Sequence, residues 1–171
     1  MIKAAAHSKA VVVLVHGMQE YSDRYADFCD YLNANGYSSI RYDLLGHGQR
    51  LSPQERGYFG IHGWHNLLGQ LHQHIQQAHD YFNGQKVILF GHSMGTIIIR
   101  SYLQHFDDFD GMVMSGVPYY NPLWRAGKLI SRVIIAVKGP RKTSSLLTKL
   151  TTGGYNQKIQ QPHTAFDWLC H

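Results

Sequence analysis

The stretch ILFGHSMGTIII, residues 88–99, sets one serine between two glycines and between two apolar runs. The first run, KVILF over 86–90, is continuously apolar and of strand length, as a strand covered on both faces should be. The second, MGTIIIRSYLQHF over 94–106, reads as a helix despite its β-branched isoleucines, because tertiary burial overrides weak propensity. Ser93 therefore falls on a sharp strand-to-helix turn.

Working outward, the same alternation recurs on both sides. KAVVVLVHG (9–17) is a Val-rich strand ended by glycine, and YSDRYADFCDYLNANG (21–36) a helix. Ser22 is placed to cap that helix, Tyr25, Phe28, Cys29 and Leu32 form its apolar stripe, and Gly36 stops it. YSSIRYD (37–43) is a second strand, followed by a loop rich in Gly, His and Pro from Leu45 to about Gly63. The next helix is the clearest in the chain. Trp64, Leu67, Leu68, Leu71, Ile75, Ala78 and Phe82 recur at helical spacing, with His72, Gln73, Gln76 and Gln77 opposite them. DGMVMSG (110–116) closes the pattern as a fourth strand. Strands alternating with helices of this length predict right-handed βαβ units and an α/β fold with a mostly parallel sheet, helices on both faces. Beyond Pro118 the pattern loosens into two short helices, PLWRAGKLISRVIIAVKG and SSLLTKLTT.

The chain has 171 residues, a one-domain length, and a formal net charge of +5. That charge is unevenly placed. Residues 1–120 hold eight Lys/Arg and ten Asp/Glu, whereas residues 121–171 hold eight Lys/Arg and Asp167 alone. A basic tail suits nucleic acid, an anionic membrane surface or a solvated face, and no nucleic-acid motif accompanies it, so nucleic acid is not expected. AVVVLV (10–15) is far shorter than the roughly 20 residues a spanning helix needs, and no signal cleavage site follows it. Cys29 and Cys170 have no metal or redox spacing and read as free thiols in a reducing compartment. The expected location is cytoplasmic. His74 and His79 are five residues apart, not the i, i+4 of helical ligands, so neither a metal nor a cofactor is expected.

Gly91-His92-Ser93-Met94-Gly95 matches G-x-S-x-G. At so sharp a turn, side chains two before and two after the serine would collide with neighbouring backbone. The turn holds Oγ above the sheet at the positive end of the following helix, and the Met94 N–H points towards a developing oxyanion. A second donor must come from the loop after an earlier strand, where HGM (16–18) places the Met18 N–H. His16 is read as a structural histidine bonding loop backbone.

Together VVVLVHGMQEYSDRY, YDLLGHGQR, GHSMG and the late FDWL resemble the α/β-hydrolases of the monoacylglycerol lipase and lysophospholipase type, from about Lys9 to Trp168. The resemblance implies a serine hydrolase of monoacylglycerols, lysophospholipids or similar small esters. It makes Ser93 the nucleophile and the Met18 and Met94 N–H groups the oxyanion hole. It also makes Asp43 and Gly46-His47-Gly48 a structural motif outside the triad. Residues 1–120 would be the N-terminal part of the hydrolase core and 121–171 the start of a helical cap. In that cap Leu129, Ile130, Val133, Ile134 and Val137, with Lys128, Arg132 and Lys138, would suit either peripheral contact with lipid head groups or packing on the cap's own domain.

A serine needs a base oriented by a carboxylate, and in this fold both follow the serine in chain order. After Ser93 the acids are Asp107, Asp108, Asp110 and Asp167, and the histidines His105, His163 and His171. His105 falls on the helix that Ser93 opens, the three earlier aspartates precede the fourth strand, and Asp167, His163 and His171 lie in cap sequence. No triad acid or base is identified. The expectation is a truncated form with about four strands, the fourth exposed, through a frameshift, early stop or split gene. Two alternatives stand beside it: an inactive ester- or lipid-binding module, and a half-enzyme completed by a second polypeptide.

Overall fold

The computed structural model describes residues 1–52, 54–119, 122–142 and 144–152. The chain divides into two compact units, Met1–Tyr119 and Tyr120–His171. Asp167, His163, His171, Cys170 and the FDWL motif lie outside the described residues.

In the first unit five strands form one sheet in the order β1-β3-β2-β4-β5: β1 Ile2–Lys3, β2 Val11–Val15, β3 Ser38–Arg41, β4 Val87–His92 and β5 Gly111–Ser115. Neighbours are parallel except β1, which runs antiparallel to β3. The expected count of about four is corrected to five. β1 is too short to carry a periodic signal, and it forms because the outer edge of β3 offers unpaired backbone to it.

β2 sits between β3 and β4 and is buried along its whole length. Strand side chains alternate between faces, so its odd and even residues enter different cores. Val11, Val13 and Val15 join Val87 and Leu89 of β4 beneath helices α2 (Gly63–Tyr81) and α3 (Met94–Tyr102). Val12 and Leu14 pack with Ile88 and Phe90 against Cys29, Phe28 and Leu32 of α1, Ala26–Ala34. That two-faced burial explains why β2 and β4 read as unbroken apolar runs. β5 pairs with β4 on one side and, among the described residues, with no strand on the other. Met112, Val113 and Met114 stay substantially exposed.

The helix stripe of α2 lies where its spacing places it: Leu67, Leu68, Leu71, Ile75 and Ala78 are buried. Trp64 is instead half-exposed and donates from Nε1 to Ser101 Oγ at 2.9 Å. The histidines opposite are not a plain solvated face. His74 stacks on Tyr42 with ring centroids 3.7 Å apart, and His72 Nδ1 lies 2.7 Å from the Tyr102 hydroxyl. Three further expectations are corrected. Ser22 makes no side-chain cap; it opens a short 3-10 helix, Ser22–Tyr25, and its own N–H donates to Asp43 Oδ1 at 2.6 Å. The helix after Ser93 ends at Tyr102, where the backbone bonds tighten to i, i+3, from Gln104 N–H to Ser101 O at 3.3 Å and from His105 N–H to Tyr102 O at 2.9 Å. His105 consequently lies in the following turn.

The second unit contains α4, Trp124–Lys138, and α5, Ser145–Thr152. None of the α4 residues is buried. Gly139, with φ +84°, ends α4 just before Pro140. Among the described residues no helix is long and apolar enough to cross a membrane.

Candidate active site

The strand-to-helix turn is built around Ser93, whose backbone takes φ +49° and ψ −114°. A non-glycine residue at positive φ is strained and persists only where its surroundings over-determine it. Here they do. The Ser93 N–H donates to Ser115 O at 2.9 Å, and Ser93 O accepts from the Thr96 N–H at 2.9 Å and from Thr96 Oγ1 at 2.7 Å. The flanking glycines are required by close approach, as the spacing predicts. A Cβ on Gly95 would sit on the Val15 carbonyl oxygen and 2.9 Å from His16 O, while one on Gly91 would lie 3.0 Å from Gly95 C and Thr96 N. Glycine thus lets α3 press directly against the ends of β2 and β4.

The loop leaving β2 passes beside this turn. A Cβ on Gly17 would lie 3.2 Å from Ser93 Cβ, so Gly17 brings the loop backbone against the serine. Gln19 follows at φ +62°. Among the described residues neither the Met18 N–H nor the Met94 N–H has a hydrogen-bond partner. Met94 follows Ser93 at the start of α3, and Met18 follows Gly17 in the loop leaving β2. The Gly17 N–H, by contrast, is taken by Glu20 Oε2 at 2.8 Å.

His16 is a structural histidine. Its Nε2 accepts from the Leu44 N–H at 2.9 Å, so Nδ1 carries the proton and donates to Gly17 O at 2.7 Å. Burial holds its pKa below the ordinary value, partly countered by the Gly17 bond, and the neutral ring ties the ends of β2 and β3 together. His47 lies edge-on to His16 and stacks on Phe59, and burial lowers its pKa as well. Asp43 serves the backbone: Oδ1 takes the Ser22 N–H, and a Cβ on Gly48 would crowd its carboxylate.

Glu20 escapes the sequence reading. Its side chain is only 5% exposed. Oε2 accepts from the Gly17 N–H and, at 2.9 Å, from the Tyr25 hydroxyl; Oε1 meets Arg24 Nη1 at 3.0 Å. Burial and the Glu20 charge push the Tyr25 pKa up. The available signal was the i, i+4 spacing of Glu20 and Arg24 across the start of a helix. His92, the residue before the serine, places Nδ1 3.4 Å from Ser115 Oγ and Nε2 3.9 Å from Glu20 Oε1.

The remaining acids and bases lie elsewhere. Asp110 accepts the Val87 N–H at 2.8 Å, at the start of β4 and thus at the opposite end of that strand from Ser93. Asp108 is occupied by Tyr102 and, at 3.0 Å, by Gln76. Among the described residues Ser93 Oγ makes no hydrogen bond to a histidine, and no group of three or more His, Cys, Asp or Glu side chains is arranged to hold a metal ion.

Comparison with known proteins bears on the family. Human monoglyceride lipase is 31% identical over 113 residues, which cover 66% of this chain and 36% of that protein. Rat monoglyceride lipase is 28% identical over 155 residues, 86% of this chain and 50% of that protein. The thermostable carboxyl esterase of Bacillus coagulans superposes with a TM-score of 0.84 at 24% identity, covering 98% of this chain and 55% of its own. A soluble variant of monoglyceride lipase from Saccharomyces cerevisiae gives 0.67 at 20% identity, with 93% and 58% covered. The chain thus spans half or less of the length of these two lipase relatives. The family model Hydrolase_4, serine aminopeptidase S33, matches residues 6–170. With nearly its whole length matched, the chain belongs to that family of α/β-hydrolases.

Proposed function

We propose that this chain carries the nucleophile and oxyanion hole of a serine hydrolase of carboxylic esters, of the monoacylglycerol lipase and lysophospholipase type. The observation that supports this most is Ser93 held at positive φ, with the loop backbone at Gly17 brought against it. In this reading Ser93 Oγ attacks the ester carbonyl, and the oxygen that becomes negative is received by the Met18 and Met94 amides. Such donors aimed at developing charge are worth roughly 10²–10³ in kcat each. Residues 1–120 supply the core and the segment from 121 onward a cap. In that cap, α4 offers Leu129, Val133 and Val137 beside Lys128, Arg132 and Lys138, with no acidic residue, to a lipid surface.

The triad acid and base are not assigned to any described residue. Loss of a triad histidine in subtilisin costs about 10⁶ in kcat, so the rate of ester turnover reads whether a base reaches Ser93. The test is turnover of a short-chain monoacylglycerol and of a lysophospholipid by the purified chain and by Ser93→Ala. Weak turnover abolished in the variant supports the reading; turnover unchanged by the variant removes Ser93 from it. A second reading is an ester- or lipid-binding module without turnover. Saturable lysolipid binding with no Ser93-dependent hydrolysis would select it.

A further inference from the structure

His92 stands between a hydroxyl and a carboxylate. Its Nδ1 is 3.4 Å from Ser115 Oγ at the end of β5, and its Nε2 is 3.9 Å from Glu20 Oε1. Gly116 makes the berth for this ring: it sits at φ +61°, and a Cβ there would come within 3.0 Å of His92 Cε1. Glu20 is itself fixed, with Oε2 held by the Gly17 N–H and the Tyr25 hydroxyl and Oε1 shared with Arg24. A carboxylate facing Nε2 favours the tautomer protonated there, which turns the Nδ1 lone pair towards the Ser115 hydroxyl. The order is nucleophile, base, orienting acid. Both spacings exceed the roughly 2.6–3.2 Å of a formed catalytic bond, and such bonds tighten when a substrate is seated.

We propose that Ser115, His92 and Glu20 form a second nucleophile–base–acid set beside Ser93, able to accept an acyl or phosphonyl group from a small activated ester. Ser115 Oγ attacks the carbonyl carbon while its proton passes to His92 Nδ1. The bond from that carbon to the leaving oxygen then breaks, and the departing alcohol takes the proton from His92. Water attacks the acyl-serine in turn, giving one proton to His92, which returns it to Ser115 as the acid leaves. Glu20 holds the Nε2 proton throughout. The set shares its rim with the site described above, since the Ser93 N–H donates to Ser115 O, yet it does not depend on Ser93 reacting.

The chain's own arginines and lysines make the test direct. Trypsin cleavage after Lys86, Arg100 and Arg125 puts Ser93 on peptide 87–100 and Ser115 on peptide 101–125. The full chain is treated with an alkyl fluorophosphonate, whose P–F bond breaks as the serine attacks and fluoride leaves, and the adduct is located by fragmentation of each peptide. The expected result is an adduct on Ser115 that persists in Ser93→Ala and falls by about 100-fold or more in His92→Gln. Glu20→Gln should also slow it. An unmodified 101–125 peptide overturns the inference whatever happens on 87–100, and an adduct on 87–100 decides the Ser93 reading separately. Should His92→Gln fail to melt cooperatively, the pH profile in Ser93→Ala decides. Ser115 labelling that rises as an imidazole deprotonates supports the set, and a flat profile overturns it.

Discussion

β2 and β5 are both short parallel strands lying against β4, both dominated by Val, Leu or Met, and they share little else. Val11 and Val13 of β2 are fully buried, whereas Val113 at the middle of β5 is 51% exposed. The difference is one of neighbours. β2 has a strand on each side and a helix layer on each face, so both of its alternating side-chain sets find a core. β5 has one paired edge among the described residues, and none of its five residues is buried. Apolar composition brings a segment into a sheet; position within the sheet decides how much stability that segment contributes. The candidate site sits at the meeting of the two regimes, with Ser93 at the end of β4 between them.

The comparison breaks most severely at Gly95. Gly95→Ala puts a methyl group into the Val15 carbonyl where α3 meets β2, and we expect a loss of about 4 kcal/mol or more, seen as a chain without a cooperative urea transition. Next come matched truncations. Val13→Ala should cost roughly 2–3 kcal/mol, and Val113→Ala should stay within about 0.5 kcal/mol. Equal losses in chemical denaturation would show that β5 is as well covered as β2.

Acid should then act on the buried side alone. His16, His47 and His74 have pKa values lowered chiefly by burial. The folded chain keeps these rings neutral while the unfolded chain protonates them near the ordinary value of 6.5. The unfolded state therefore binds more protons as pH falls, so stability is full above about pH 7.5 and declines below about 6.5. We expect at least about 1 kcal/mol lost between about pH 7.5 and 5.5, with a shallower slope in His47→Gln. A flat profile would show these rings charging freely in the fold. The smallest effect on stability belongs to Val113→Lys, within about 0.5 kcal/mol, because that side chain already meets solvent. Its readout is self-association: a charge on an unpaired apolar edge should lower light scattering at matched concentration.

Much of this was legible in order along the chain. The α2 stripe, the continuous apolar strands and the glycines around Ser93 are each dictated by local spacing, and the structure places them accordingly. What escaped were features made by partners distant in sequence. β1 has two residues and exists because β3 offers it an edge. Ser22 reads as a cap, but Asp43, 21 residues on, claims its N–H in a different role. His72 reads as part of a polar face, yet it finds a hydroxyl on another element. Glu20 is marked in sequence only by its spacing to Arg24, and its carboxylate is buried by contacts that reach as far as His92.

By itself the sequence determined the alternation of strands and helices, the turn at Ser93 and the need for glycine on both sides of it. These follow from periodicity and steric contact within a few residues. Only the tertiary structure decided which strand is central and which is an edge, which histidines are tied to partners, and that His92 lies between Ser115 and Glu20. Those outcomes depend on distances between residues 23 to 72 positions apart, and local physical chemistry has no means of expressing them.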